Sequence, residues 1–259
     1  MTRENKRKLN HFMISAPSGV VLTSSWLKEH GISSKLTWWY VRTGLLERVG
    51  SKAYKKTGDK ISWEGVLVTL QGQLCLSIHV GGKTALELIG RAHFIPTHGM
   101  HQIILFTTHA TKIPSWVLNT WDGAQFQNIK TSSLFKAADK ELGIVEKSIN
   151  GFTIKISAPE RAIMEVLFLC DDKVALNEAF LLMQNLGQLR PSIVQQLLEQ
   201  CHSIKVKRLF LFLAELSRHP WLIKLDLKKI NLGHGKRVIN GGGNYDAKYM
   251  LSLPEIKEE

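Results

Sequence analysis

The hydrophobic and polar positions of the first sixty residues follow the period of short helices and then of a hairpin. Apolar residues recur on one helical face at 9, 12 and 13, at 26 and 27, and at 36, 39 and 40. Thr23 and Ser33 are favourable N-cap residues, and Gly31 and Gly44 are typical of helix ends. The pattern therefore predicts three helices, over 3–13, 23–30 and 33–43.

The segment 45–56 alternates in character around Gly50-Ser51-Lys52, which predicts a β-hairpin with a basic tip. Two helices joined by a short turn with glycine are the geometry that places the second helix in the major groove of DNA. The helix over 33–43 is therefore the predicted recognition helix, and the hairpin is the predicted wing. We expect Trp39 to be buried and Trp38 to be partly exposed.

Basic, hydroxyl and aromatic side chains of these two elements are the candidate DNA contacts, since they bind phosphates or base edges. The predicted contacts are Ser33, Ser34, Lys35, Thr37, Trp38 and Arg42 on the helix, and Arg48, Lys52, Lys55 and Lys56 on the hairpin. Arg7 and Lys8 are further candidates for contacts with the DNA backbone.

Past residue 60 the pattern predicts mixed elements. We expect helices over 62–70 and 83–89, strands over 76–80, 102–108 and 125–130, a hairpin that turns at Asn150-Gly151, four helices over 158–170, 175–186, 192–201 and 205–218, and a last strand over 249–253. The predicted fold class is α+β. A winged helix-turn-helix over 1–60 is followed by a larger mixed domain over 61–259 that is rich in helix toward the C-terminus.

The charge is concentrated in the predicted winged segment. Residues 1–60 carry twelve Lys and Arg against four Asp and Glu, so this segment contributes +8 to the net charge of +12. Such a concentrated positive field favours a polyanionic partner, because each neutralised phosphate releases counterions.

The composition indicates a soluble cytoplasmic protein. With 44% hydrophobic residues the chain can bury a sizeable core, and no apolar run approaches the roughly 18 residues of a membrane span. The N-terminus lacks the apolar stretch of a signal peptide. Cys75, Cys170 and Cys201 lie far apart in apolar surroundings, which predicts buried thiols in a reducing compartment.

Two motifs resemble parts of enzymatic sites but lack residues that such sites need. Gly81-Gly82-Lys83-Thr84 resembles the end of a phosphate-binding loop, but Ser77 stands where that motif needs its first glycine. The histidines at 93, 98, 101 and 109 cluster loosely, but no acid lies between Arg91 and Asn119 to complete a metal site. We therefore predict no cofactor, no metal and no enzymatic activity.

Several blocks of the sequence resemble the AbiEi family of antitoxins. The block over 17–27, which reads PSGVVLTSSWL, resembles the start of the family's N-terminal domain. The block over 41–54, VRTGLLERVGSKAY, resembles the end of its recognition helix and its wing. Later blocks with the same resemblance are SWEG over 62–65, HVGGKTALEL over 79–88 and SAPERA over 157–162.

This resemblance implies a transcriptional regulator and antitoxin of a type IV toxin–antitoxin, or abortive infection, system. Such proteins repress their own operon by binding inverted repeats in double-stranded DNA. Their C-terminal region counters, directly or indirectly, a nucleotidyltransferase-like toxin. The resemblance places the DNA-contact role on residues 33–42 and 48–56, and it assigns no residue to the antitoxic activity.

An alternative interpretation is an RNA-binding or protein-interaction adaptor that uses the helical region 158–218. Lys205, Lys207 and Arg208 lie near Phe210 and Phe212 there, and a basic helical face of this kind would bind RNA or an acidic surface of the toxin. The competing interpretation is an ordinary amphipathic helix whose phenylalanines are buried.

Overall fold

The computed structural model describes residues 12, 14, 16–92, 101–108, 110–131, 134–135, 141–240 and 243–256. Within them the chain forms a winged N-terminal segment, a five-stranded sheet with flanking helices, and a helical layer closed by a small three-stranded sheet. The fold class is α+β with helices concentrated toward the C-terminus, and the prediction of that class is confirmed.

The winged segment contains two helices and a three-stranded antiparallel sheet of order β1-β3-β2. Its elements are β1 (Leu22–Thr23), α1 (Ser24–Glu29), α2 (Ser34–Arg42), β2 (Leu46–Gly50) and β3 (Ala53–Lys56). The hydroxyls of Thr23 and Ser33 accept hydrogen bonds from the first turns of α1 and α2. Gly31, between the helices, has φ 79°, a conformation that costs glycine little. The predicted caps, turn and hairpin are thus confirmed.

A small apolar core holds these elements together. Tyr40 of α2 is fully buried and its ring stacks on that of Phe12, with centroids 5.7 Å apart. Leu36 and Trp39 pack against the same core, while Trp38 is 59% exposed. The expected orientation of the two tryptophans is confirmed. Phe12 is helical and buried, but most of the helix predicted over 3–13 lies outside the described residues.

The central sheet has the strand order β6-β5-β4-β8-β7. Its strands are β4 (Ile78–Val80), β5 (His101–Thr107), β6 (Ala124–Lys130), β7 (Ile144–Ile149) and β8 (Phe152–Ser157). The helical elements beside it are α3 (Trp63–Val68), a π-helical turn (Thr69–Gln73), α4 (Gly82–Leu88) and a 3₁₀ turn (Ser115–Leu118). β5 runs parallel to β6, and β4 runs parallel to β8.

A side chain completes the sheet where β4 and β8 diverge. These strands pair only at Val80 and Ile156. Beyond that pair the amide of Gln71 accepts the N–H of Lys155 at 2.8 Å and donates to the carbonyl of Ile78 at 3.1 Å. Gln71 thus satisfies backbone groups that would otherwise be left unpaired.

The helical layer follows β8, with boundaries close to the four predicted segments. Its helices are α5 (Pro159–Leu169), α6 (Lys173–Gln184), α7 (Pro191–Gln200) and α8 (Ile204–Leu216), followed by 3₁₀ turns over Pro220–Lys224 and Leu227–Lys229. A small sheet of order β10-β11-β9 closes the chain, with β9 (Arg237–Val238), β10 (Asn244–Asp246) and β11 (Leu251–Leu253). Of these three strands the pattern predicted only β11, because β11 is apolar and buried whereas β9 and β10 are largely exposed and lack an apolar pattern.

The winged segment is docked onto the central sheet. Val21 and Ala53 belong to the same buried cluster as residues of α3 and β8. The hydroxyl of Thr69 donates to the carbonyl of Val21 at 2.7 Å. A Cβ on Gly65 would lie 1.8 Å from the carbonyl oxygen of Gly19, so only glycine permits this approach of α3. The position of the wing is therefore set partly from outside residues 1–60.

The cysteines differ from the prediction at one position. Cys170 and Cys201 are buried, and burial raises the pKa of each thiol to about 11. Cys75 is exposed instead, because it lies in the turn after the π-helical segment with φ 48°. Among the described residues, every helix is too short or too polar to cross a bilayer.

Candidate nucleic-acid interface

The outer face of α2 is polar and basic. Tyr40 anchors the opposite face in the core, which turns Ser34, Lys35, Trp38 and Arg42 outward at helical spacing. All four are exposed, as is the cap residue Ser33, and α2 contains no acidic residue. This face offers hydroxyl groups, two cations and one aromatic ring to a ligand.

Trp38 and Arg42 form one surface feature. The Arg42 guanidinium lies over the Trp38 indole, 5.2 Å from the ring centroid. A cation–π contact of this kind limits the conformations of an exposed arginine. The arginine keeps its charge and its hydrogen-bond donors. Arg42 is therefore presented in a restricted orientation, with its donors still available at the surface.

The wing presents further cations at its edge and tip. Lys52 occupies the tip with φ 57° and is exposed, and Arg48 is exposed while its Nε donates to the carbonyl of Gly50 at 3.2 Å. Lys55 is half-buried and pairs with the Glu47 carboxylate at 3.0 Å. Its hydrogen bond lowers the pKa of Glu47. Lys52 and Arg48 are thus the stronger candidates for phosphate contacts.

Two of the ten predicted contacts point inward, which corrects the candidate set. Thr37 is buried, and its hydroxyl donates to the Ser33 carbonyl at 3.1 Å within the helix. Lys56 is 8% exposed, and its ammonium donates to the Ala16 carbonyl at 2.9 Å and to the Ser18 hydroxyl at 2.7 Å. Neither side chain is free to contact DNA. Arg7 and Lys8 lie outside the described residues.

The structure adds Lys28 and Ser51 to the candidate surface. Lys28 is exposed on α1 and borders a groove of about 640 Å³ together with Ser34, Ser51 and Lys52. The sequence signal for Lys28 was its place beside the buried Leu27, on the outward side of the first helix of the pair. Nothing in the sequence pattern indicated that the wing tip approaches it.

The glycine motif before α4 does not form a phosphate site. The N–H of Gly82 donates to Oε2 of Glu165 at 2.9 Å, and a Cβ on Gly81 would lie 2.2 Å from that oxygen. A carboxylate thus occupies the place where a phosphate would bind, and it repels other anions. The motif instead begins a helix, with Gly81 at the N-cap position of α4.

Glu165 is the centre of a buried polar cluster. Its Oε2 accepts from the N–H of Gly82 and the Ser157 hydroxyl, and its Oε1 accepts from Arg161 at 2.9 Å and His79 at 2.8 Å. Burial raises the pKa of Glu165, but the charges and hydrogen bonds of His79 and Arg161 outweigh it and lower the pKa to about 2. With four donors engaged, the carboxylate joins β4, β8, α4 and α5.

Of the four loosely clustered histidines, one lies among the described residues. His101 opens β5, whereas His93, His98 and His109 lie outside the described residues. No group of three metal-binding side chains occurs among the residues that the structure describes.

The basic face proposed for the adaptor interpretation is not at the surface. Arg208 is fully buried and donates to four carbonyl groups, those of Leu232, Gly233, Gly235 and Met250. Lys207 is 4% exposed. Lys205 is half-buried and binds the Asp171 carboxylate at 2.7 Å. Arg208 thus holds the C-terminal tail and Lys205 the α5–α6 turn, so the adaptor interpretation loses the surface on which it depended.

Comparison with known proteins gives two family matches. A family model described as transcriptional regulator, AbiEi antitoxin, type IV TA system matches residues 100–254, and a model of the AbiEi antitoxin N-terminal domain matches residues 5–97. The crystal structure of the RV2827C protein from Mycobacterium tuberculosis is similar in fold, with a TM-score of 0.57 and 13% identity over 97% of this chain and 92% of that chain. No curated protein matches the sequence.

Proposed function

The chain belongs to the AbiEi antitoxin family of transcriptional regulators of type IV toxin–antitoxin systems, as its motifs predict, and we propose that it represses its own operon by binding operator DNA. In this proposal α2 enters the major groove and the β2–β3 hairpin follows the adjacent backbone, as in other winged helix-turn-helix proteins. The operator contains inverted repeats, and the protein acts in the cytoplasm.

The observation that carries the proposal is the outward face of α2 beside the wing, which is exposed and contains no acidic residue. Its proposed base contacts are Lys35 and Arg42, since both are exposed near the two ends of the helix. Lys52 and Arg48 are proposed to contact phosphates. The remaining proposed contacts are Ser33, Ser34, Trp38 and Lys55.

We further propose a division of roles along the chain. Residues 1–60 bind DNA, and residues 61–259 counter a nucleotidyltransferase-like toxin, directly or through its effects. The protein acts by binding rather than by catalysis. The engagement of Glu165 by four donors supports this for the carboxylate beside the glycine motif, because the lowered pKa makes it a weak base.

The DNA proposal is tested by measuring affinity for the DNA directly upstream of the gene and for unrelated DNA of equal length, at physiological salt. The wild-type protein is compared with Lys35→Ala/Arg42→Ala. Loss of two base contacts is expected to weaken binding to the upstream DNA about 30-fold or more, since each is worth roughly 1 kcal/mol or more. The effect on unrelated DNA is expected to be smaller.

Lys224→Ala/Lys228→Ala is the matched control, because it also removes two positive charges, but from exposed positions in the helical layer. Equal weakening by both double variants would show that only net charge matters and would refute the recognition helix. Equal affinity of the wild-type protein for both DNAs would refute the repressor function.

The antitoxin proposal is tested by co-expression with the toxin candidate encoded beside the gene. Growth of cells that express the toxin is expected to recover with the full chain. Because the DNA contacts are proposed to be separate from this role, Lys35→Ala/Arg42→Ala is expected to restore growth as well as the wild-type protein does. Failure of the wild-type chain to restore growth would refute the antitoxic role.

A further inference from the structure

The groove beside the wing tip is built from both parts of the chain. The wing contributes Ser51 and Lys52, α1 contributes Lys28, and the 3₁₀ turn after β5 contributes Ser115 and Trp116. Six hydroxyl side chains and two lysines line it, and none of its described lining residues is acidic. This composition suits the sugar–phosphate backbone of a nucleic acid, because hydroxyls and ammonium groups donate to phosphate oxygens.

The wing tip is fixed against the floor of this groove by Trp116. A Cβ on Gly50 would lie 2.6 Å from Cβ and 3.0 Å from Cγ of Trp116, so the wing strand rests directly on that side chain. Trp116 is 4% exposed, and its ring meets Trp121 edge-on with centroids 6.1 Å apart. The register of β2 against β3 shifts between Arg48 and Gly50, at the point of contact.

The other side of the tip is held by α1. The N–H of Ser24 donates to the Lys52 carbonyl at 3.0 Å. Lys52 therefore sits between a backbone hydrogen bond on one side and the Gly50–Trp116 contact on the other. Its direction depends on a residue outside the winged segment.

We propose that Trp116 is a positioning residue for DNA binding, and that a phosphate of the DNA backbone lies in this groove between Lys28 and Lys52. This inference rests on the proposed DNA-binding function. The part of the chain assigned to antitoxic activity then also sets the geometry of the wing.

The test compares Lys52→Ala, Gly50→Ala and the double variant, using the slope of log affinity for the upstream DNA against log salt concentration. Removing one phosphate contact is expected to reduce the slope by about 0.9, equivalent to about eightfold in affinity at 0.1 M salt. Gly50→Ala is expected to give a similar reduction although it removes no charge, because its methyl group pushes the tip away from Trp116. The double variant is expected to lose no more than either single variant.

Gly72→Ala is the matched control, since its Cβ meets no atom within 4 Å. Trp116→Leu is a second perturbation, which removes the indole ring from the contact with Gly50 instead of adding a methyl group to it. The same reduction in the salt slope is expected. A wild-type slope in both Gly50→Ala and Trp116→Leu, or an additive loss in the double variant, would overturn the role of Trp116. An unchanged slope in Lys52→Ala would overturn the phosphate site. If the wild-type protein did not prefer its upstream DNA, the proposed function itself would fail instead.

Discussion

Replacement of Glu165 by glutamine tests whether the buried cluster holds the central sheet to the helical layer. The carboxylate is 0% exposed and accepts from four donors, two at each oxygen. An amide keeps the shape but offers one oxygen only. In either orientation its NH₂ group faces an obligate donor, the N–H of Gly82 or the Nε–H of Arg161.

The magnitude follows from the pKa of Glu165. A fall from 4.5 to about 2 on folding corresponds to about 3 kcal/mol of stability at pH 7, at 1.36 kcal/mol per pH unit. Breaking a buried ion pair by removing one partner costs a similar amount, about 3–5 kcal/mol. For a chain of this size, 3 kcal/mol lowers the Tm by about 6–12 °C.

The assay is thermal unfolding of the wild-type protein and Glu165→Gln between pH 7 and pH 2.5, with the exposed Glu146→Gln as the control. The pKa of Glu165 is lower in the folded state than in the unfolded state. The stability that its ionised carboxylate contributes is therefore complete above about pH 4.5 and is lost as the pH falls toward 2. The difference in Tm is therefore expected to narrow below pH 4.5. A difference under 1 °C at pH 7, or one that stays constant down to pH 2.5, would refute this role of the cluster.

Three further predictions follow from buried groups. Lys56→Ala is expected to lower the free energy of unfolding by about 2–3 kcal/mol, because the buried ammonium makes two hydrogen bonds; an unchanged salt slope of DNA binding distinguishes Lys56 from Lys52 at the wing tip. With an aromatic disulfide reagent at pH 8, Cys75 alone is expected to react in the native protein, because Cys170 and Cys201 have raised pKa values and are buried; three rapidly reacting thiols before denaturation would contradict this. Arg208→Met is expected to lower the Tm without changing DNA affinity, since the partners of the guanidinium among the described residues are carbonyl groups of the C-terminal tail; loss of affinity in a folded variant would indicate that this region contacts the nucleic acid.

Much of the winged segment was predictable because its signals are local. A cap hydroxyl binds an N–H group only three residues away, as at Thr23 and Ser33. The short turn between the two helices uses a positive φ at Gly31, which glycine adopts readily. The family blocks, the α+β class and the outward face of α2 were also accessible without coordinates.

The candidate surface was less predictable, because charge along a sequence does not reveal burial. Lys52 and Lys56 are residues of the same type that lie four positions apart. Lys52 is exposed at the wing tip, whereas Lys56 is buried and donates to backbone and hydroxyl groups. Arg208 shows the same effect in the helical layer.

The sequence by itself determined the helix boundaries, the hairpin, the concentration of charge and the family, since each depends on neighbouring residues or on motifs read along the chain. Only the tertiary structure decided which cations reach the surface, what occupies the turn before α4, and how the wing is held. Those outcomes depend on contacts such as Gly50 with Trp116 and Gly82 with Glu165, which join residues 66 and 83 positions apart. Hydrophobic periodicity carries no information about such pairs, because it records the face on which a residue lies and not the partner that covers it.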